Sequence, residues 1–513
     1  MKKIIYFLFI ALALFVTSCE LPDNVDPKYS LTVDPEALFT YSEIELVNQV
    51  GSINVNINTT RLLAQFQSET TYPTESRYNF SDRQIPDAFF IRLYERVLMN
   101  LKDAHGQITA SPVVDEETAA VKANKLACIE ILNVYAYQIL VDAFGNVPYT
   151  EALMGAENSR PKYDDAYTIY MDLLSRLDAA IASINEDYDG FANDVLYSTK
   201  KSTVSDVPKM TYWKEFAASL KLRMGLRLAD VPAANPNKIV TEALATGVYT
   251  DQSYSAILTY TGVSPYVNSY YTEFVINARK DFCPTVTLVD FMNTLKDPRR
   301  AKWFTLYHYV DEDLDIDTLI YKGEPYGLKA AASYSKYSHF ADAIRIDPTY
   351  PVILSDKVEV EFLLAEACER GLGGLVPADA ETHYNAAVLG SMKYWGVSDA
   401  DAATYLAQPL VAYTTATGDY KQKIGMQKWL GLFDRGEEAW AEWRRLDYPK
   451  FNPPQSMTYA DIPLRMPYPY NENKMNKANY DAAVTAMGGD ETDIQLFWDK
   501  VDSPYLPVLP PKK

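Results

Sequence analysis

The side chains best placed to do chemistry are aromatic. The 513-residue chain carries 39 Tyr, 20 Phe and 7 Trp. Two stretches concentrate such rings beside polar groups where helical periodicity is weak. Residues 71–80 combine Tyr72, Tyr78 and Phe80 with Glu75, Arg77 and Asn79. Residues 247–350 contain Tyr266, Tyr270, Tyr271, Trp303, Tyr307, Tyr309, Tyr321 and Tyr326, with Asn268 and Arg279 among them. A tyrosine or tryptophan offers an apolar face and a polar handle. Sugars present C–H faces that stack on rings and hydroxyls that need fixed donors and acceptors; peptides can use the same platform. The candidate ligand-binding residues are therefore Tyr72, Arg77, Tyr78, Tyr266, Tyr270, Tyr271, Trp303, Tyr307, Tyr321 and Tyr326. The alternative for each ring is packing against a helix.

Signs of catalysis are weaker. The sequence has no GxSxG elbow and no HExxH. Its four histidines, His105, His308, His339 and His383, include no i, i+4 pair. A glycosidase needs two carboxyls about 5–9.5 Å apart, and 68 acids could hide such a pair. No segment isolates one, so no catalytic residue and no enzyme activity are expected. Asp311, Asp313, Asp315 and Asp317 alternate like oxygen ligands, but the segment lacks the glycine and terminal glutamate of an EF-hand loop. It reads as a solvated acidic loop; no metal site and no cofactor are expected.

The N-terminus reads as a secretory signal over residues 1–18. Lys2 and Lys3 precede an apolar run from Ile4 to Val16, then Thr17, Ser18 and Cys19. Val16-Thr17-Ser18-Cys19 resembles a lipobox, which implies acylation of Cys19 and anchoring through several chains. Residues 19–40 then read as a tether, with Glu20, Asp23 and Asp26 interrupted by Pro22 and Pro27. An acidic stretch after the cysteine resembles a surface-export signal of Bacteroidetes-type lipoproteins. That implies an outer-membrane anchor facing outside; because the acids are spread out, an inward orientation is the alternative. Without Lys2 and Lys3, 46 bases face 68 acids, a net charge near −22. Such a surface disfavours nucleic acid. Cys128, Cys283 and Cys368 form no close-spaced set, so neither a disulfide framework nor a CxxC metal site is expected.

These loops need a scaffold, and periodicity predicts helices for it. Spacing of three and four predicts helices over 42–67, 85–103, 116–144, 164–185, 212–228, 238–246, 356–370, 379–395, 398–407 and 424–446. Gly145, Gly247 and Gly371 stand where helices should stop, and Ser398 where one should start. Short helices could fall within 264–280 and 287–295. Arg223, Arg227, Glu366 and Arg370 are placed for ion pairs between helices. From Asp447 onward, prolines and aromatics predict an irregular segment over the helices, with a solvated end. The whole of 41–513 reads as one mostly α domain of stacked helical hairpins.

Several segments, in order, resemble the SusD/RagB family of nutrient-binding lipoproteins. They begin with Asp142-Ala143-Phe144-Gly145-Asn146-Val147-Pro148-Tyr149, then Pro161-Lys162-Tyr163-Asp164 and Trp213-Lys214-Glu215-Phe216-Ala217. Phe362-Leu363-Leu364-Ala365-Glu366-Ala367 with Arg370-Gly371 follows, then Gln427-Lys428-Trp429. Trp440-Ala441-Glu442-Trp443-Arg444-Arg445 and Arg465-Met466-Pro467-Tyr468-Pro469 complete the series. The resemblance implies a tetratricopeptide-like helical scaffold with a long irregular, loop-rich ligand face. It also implies glycan capture for a partner TonB-dependent, SusC-like outer-membrane transporter. Peptide capture with the same partner is one alternative, and a surface glycoside hydrolase another. The family's ligand loops share no motif, so the resemblance assigns no binding position.

Overall fold

The computed structural model describes residues 33–197 and 208–500. The signal segment, Cys19 and most of the tether lie outside the described residues. Helices dominate, and successive helices pair as antiparallel hairpins. Glu116–Phe144 packs on Ala166–Ser183, Lys209–Arg227 on Pro236–Thr246, Lys357–Arg370 on Ala380–Tyr394, and Tyr420–Gly431 on Gly436–Leu446. This is the tetratricopeptide-like scaffold. Among the described residues, strands occur only as four separate two-stranded pieces.

Local chemistry explains most helix ends. Asp115 accepts from the Thr118 amide in a capping box, and Glu116 and Glu117 lie in the first turn, where carboxylates suit the helix dipole. Asp356 accepts from the Glu359 amide, and at the other end Gly371 takes φ +62°, a left-handed cap open to glycine at little cost. Ser398 caps Asp399–Leu406. Glu116–Phe144 is apolar and long enough to cross a membrane, yet 89% of its apolar window is buried in protein. It is the central core helix.

Four expectations are corrected. The helix expected over 42–67 is Pro35–Gly51, starting inside the stretch read as tether, followed by Thr60–Leu63. Between them Asn58 donates to the Gln49 carbonyl (2.9 Å) and accepts from the Thr60 amide (2.9 Å), an Asn-built turn. The helix expected to stop at 103 runs on to Ala110. The helix expected over 424–446 is broken into Tyr420–Gly431 and Gly436–Leu446. A Cβ on Gly436 would lie 2.5 Å from the Arg61 amide nitrogen, so this close approach requires glycine. At the break, Asp434 takes φ +77° and accepts from the Tyr350 hydroxyl at 2.7 Å. The proline-rich tail is only partly irregular, since Lys477–Met487 is helical. The tail is tied down by Met466 N–H to the Ala143 carbonyl (2.7 Å) and Trp440 Nε1 to the Pro463 carbonyl (2.9 Å).

The hairpins are joined by a buried charge network. Arg223 bridges to Glu359 (Nη2–Oε2 2.8 Å), which Arg435 also reaches at 2.9 Å. Arg227 pairs with Glu438 and Glu442 at 2.7 Å each, and Lys428 meets Glu442 at 2.7 Å. Arg445 links Glu442 to Glu366 at 2.5 Å on each side, and Arg370 reaches Glu366 at 2.7 Å. Glu359, Glu366 and Glu442 thus each accept from more than one cation, the arrangement that a buried ion pair needs to offset its desolvation.

Candidate ligand-binding face

The irregular stretches converge. Gln67–Glu69 pairs antiparallel with Phe282–Pro284. The Thr70 carbonyl accepts from the Ala332 amide at 2.7 Å. The loop carrying Tyr72 is thereby joined to the loop following Tyr326. Arg77 donates to the carbonyls of Gly327 and Gln455, both at 2.8 Å. Tyr78 lies 6.1 Å, ring to ring, from Tyr326, whose hydroxyl donates to the Leu62 carbonyl at 2.8 Å. Arg77, Tyr78 and Tyr326 are therefore brought together, but as a clasp between loops. Tyr72 is different: its ring is 56% exposed, with Arg83 over it at 5.7 Å.

A hairpin, Tyr307–Asp311 with Ile316–Ile320, is tied to the strand pair by the chain that follows it, through the Glu324 amide to the Pro284 carbonyl (2.9 Å). Side chains alternate across a strand, so Tyr307 and Tyr309 share one face, and both are half-buried. The Lys322 ammonium lies 4.5 Å from the Tyr307 ring centre, 5.9 Å from Tyr309 and 5.7 Å from Tyr337. Three tyrosines thus surround one cation, each held by a cation–π contact. The Tyr309 hydroxyl donates to Asp311 at 3.0 Å, and that hydrogen bond pushes the phenol pKa up. Tyr321 is turned to Arg300, which lies 5.3 Å over its ring. The sequence pattern offered the i, i+2 spacing of Tyr307 and Tyr309. It gave no sign of Lys322 and Tyr337, whose segments are joined where the Lys322 carbonyl accepts from the Ser338 amide (2.8 Å) and the Lys322 amide donates to the Ser338 hydroxyl (3.0 Å).

Three other candidates need correction. Trp303 is fully buried, stacked on Phe433 at 4.0 Å and edge-on to Trp395 at 5.4 Å. Tyr270 is buried against Arg61 and Asp434. Tyr326 is buried as well. None of the three presents a ring face to solvent: Trp303 and Tyr270 belong to the core that the helices share, Trp303 packing on Phe433 and Trp395, and Tyr326 reaches back to Leu62. Trp303→Phe should lower stability by about 1–3 kcal/mol in urea unfolding and leave ligand affinity unchanged; an affinity loss without destabilisation would return Trp303 to the binding set. Tyr266 is 49% exposed on a turn, and Tyr271 is half-buried beside Tyr270.

Beneath the Tyr72 loop are enclosed carboxyls. Glu69 accepts from the Ser76 amide (2.8 Å) and hydroxyl (3.0 Å). Burial, with the Glu75 charge adding to it, pushes the Glu69 pKa up to about 8. Burial does the same to Glu324, also to about 8. Both are thus largely protonated at neutral pH, and both are buried. Glu69 braces the loop from below through Ser76, and the two buried carboxyls form no solvent-facing acid–base pair. Among the described residues, no group of three or more His, Cys, Asp or Glu side chains is arranged to hold a metal. In the acidic loop, Asp311 accepts from the Leu314 amide (3.2 Å) and Asp317 pairs with His308 (2.5 Å).

The arrangement can therefore stack and hydrogen-bond a ligand at a loop-built face. A family model named SusD-like, described as starch-binding and associating with the outer membrane, matches residues 27–469. A solved structure titled a chitin-binding protein shares 24% identity at a TM-score of 0.75, covering 91% of this chain and 100% of its own. A chitin-binding SusD homolog from Flavobacterium johnsoniae shares 22% at 0.72, covering 92% and 99%. A SusD-like protein from Bacteroides thetaiotaomicron shares 23% at 0.72, covering 91% and 98%. These likenesses concern the fold. No curated protein matches the chain.

Proposed function

The chain belongs to the SusD-like family, and on that premise we propose that it captures a glycan at the cell surface and delivers it to a partner TonB-dependent transporter. Cys19 supplies the lipid anchor in the outer membrane, and the body faces outside. The observation that carries the reading is the Tyr307, Tyr309 and Tyr337 group around Lys322. Its rings offer flat apolar faces for sugar C–H groups. Its hydroxyls and the ammonium offer the few fixed polar contacts that such a site needs. Tyr72, exposed on the 71–80 loop, is a second ring open to a ligand. Two of the similar solved structures carry chitin-binding in their titles, which supports a glycan over a peptide. No catalytic step is part of this reading.

The test is titration calorimetry on protein starting at Glu20, with chitin and starch oligosaccharides as ligands. Tryptophan fluorescence is the wrong readout, because six of the seven tryptophans are buried and Trp395 is half-buried. We expect saturable heat with one glycan class and its recovery unhydrolysed. Binding to peptides alone would replace the glycan reading with peptide capture. Turnover abolished by one carboxylate substitution would replace it with a hydrolase.

A further inference from the structure

A second opening lies away from the tyrosine group, between the helix beginning at Ile85, the loop after Pro148 and the turn at Pro469. It has a volume of about 330 Å³, within the range of ligand pockets. Its walls are mainly apolar: Phe90, Ile91, Tyr94, Pro148, Leu153 and Met154. Ile91 and Met154 are 42% and 40% exposed, so the groove leaves aliphatic surface in water. No lysine or arginine lines it, whereas Asp87, Glu95 and Glu472 do. Among the described residues, none of these three carboxylates has an ion-pair partner. Asp87 accepts from the backbone amides of Tyr470 and Asn471 (2.8 and 3.0 Å), and Glu472 accepts from the Tyr163 hydroxyl (2.9 Å). Glu95 is exposed.

The backbone here is also irregular. Arg92–Leu98 is a π-helical stretch inside the helix, and Leu153 takes φ +62°. π-helical turns recur at functional sites, and a non-glycine residue rarely adopts the left-handed conformation of Leu153. A glycan does not fit the chemistry. The groove has one tyrosine and two side-chain amides, Asn158 and Asn471, among otherwise apolar or acidic groups. With Lys102 at its edge, donating to the Leu153 carbonyl, the groove still carries a net negative charge from its three carboxylates, and such an apolar, acidic channel matches a polypeptide that brings aliphatic anchors and a cation.

We propose that this groove is a docking site for a partner polypeptide segment that presents a short apolar stretch next to a lysine or arginine. The site is separate from the glycan face, so the two readings can fail independently. The probe is a random twelve-residue peptide library displayed on phage and selected against the protein starting at Glu20. Enriched peptides are then titrated against wild type, Glu95→Lys, Glu95→Gln and Met154→Glu. We expect enriched sequences to pair apolar residues with Lys or Arg. We expect affinity to fall by about tenfold or more in Glu95→Lys and Met154→Glu, and by less in Glu95→Gln. Glu95 and Met154 are exposed, so melting temperatures should stay within a few degrees, and calorimetric glycan binding should be unaffected. Enrichment of sequences without basic residues, binding indifferent to all three substitutions, or no enrichment would each overturn the proposal.

Discussion

Arg445→Met should lower the unfolding free energy by about 3–5 kcal/mol, the largest loss that we expect from any single replacement in the scaffold. Arg445 is buried between Glu366 and Glu442, with 2.5 Å contacts to each. Methionine fills much of the same volume, so the loss is chiefly electrostatic. Two carboxylates would stay in the interior with one counter-ion fewer. Glu442 keeps Arg227 and Lys428, and Glu366 keeps Arg370. That places the effect within the range for a broken buried pair. Arg445→Lys should recover only part of it, because one ammonium cannot reproduce the two-sided guanidinium contact. Equilibrium urea unfolding measures all three proteins. A loss below about 1 kcal/mol for Arg445→Met would mean that the pairs do little beyond cancelling their own desolvation.

The same network sets the acid limb of stability. Burial alone would raise the pKa of Glu359, but the charges of Arg223 and Arg435 overrule it and hold it down at about 2. Glu442 and Glu366 are lowered too, against burial, by Arg445 and its neighbouring cations. A carboxylate depressed in the folded state contributes stability above its unfolded pKa, about 4.3. That contribution is lost as pH falls through the folded value. Burial raises Glu438 and offsets part of the effect. Stability should therefore decline between about pH 4.5 and 2, and in Arg445→Met the decline should begin at higher pH.

What the sequence made legible was set by how local the determining contacts are. The helix over 116–144 could be read because Gly145 and its own apolar spacing mark it, and Asp115 caps its start. The break after Gly431 could not, because its cause is the backbone of Thr60 and Arg61, nearly four hundred residues away in the chain. Arg223, Arg227, Glu366 and Arg370 announced themselves as charges on apolar faces. Their partners Glu359, Glu438 and Glu442 were hidden among 68 acids, and only packing selects them. The aromatic stretches identified the right region of the chain but could not sort its rings. Trp303 and Tyr270 have the same composition around them as Tyr307, yet they pack into the core that the helices share. The strand alternation that sets Tyr307 and Tyr309 on one face was a two-residue signal inside a stretch without other periodicity.

If the tyrosine group binds the glycan, Tyr309→Ala combined with Tyr337→Ala should weaken binding by roughly 5- to 150-fold, about 1–3 kcal/mol at 0.5–1.5 kcal/mol per ring. Tyr309 and Tyr337 are half-buried, so their removal should cost little stability. Tyr309→Phe keeps the stacking face and removes only the hydroxyl that Asp311 holds at 3.0 Å. It should therefore retain most of the affinity, and a loss equal to that of alanine would show that the hydroxyl, not the face, is used. Lys322→Met separates the two roles of the cation. Without the ammonium 4.5 Å from Tyr307, the rings lose the charge that arranges them, and the direct polar contact to sugar disappears as well. An affinity loss in Lys322→Met with the hairpin's stability unchanged would favour direct contact, because a purely organising role would loosen the hairpin too. Tyr72→Ala supplies the competing outcome. If it alone abolishes binding while the double variant binds normally, the glycan lies on the 71–80 loop, and the tyrosine group around Lys322 is hairpin packing.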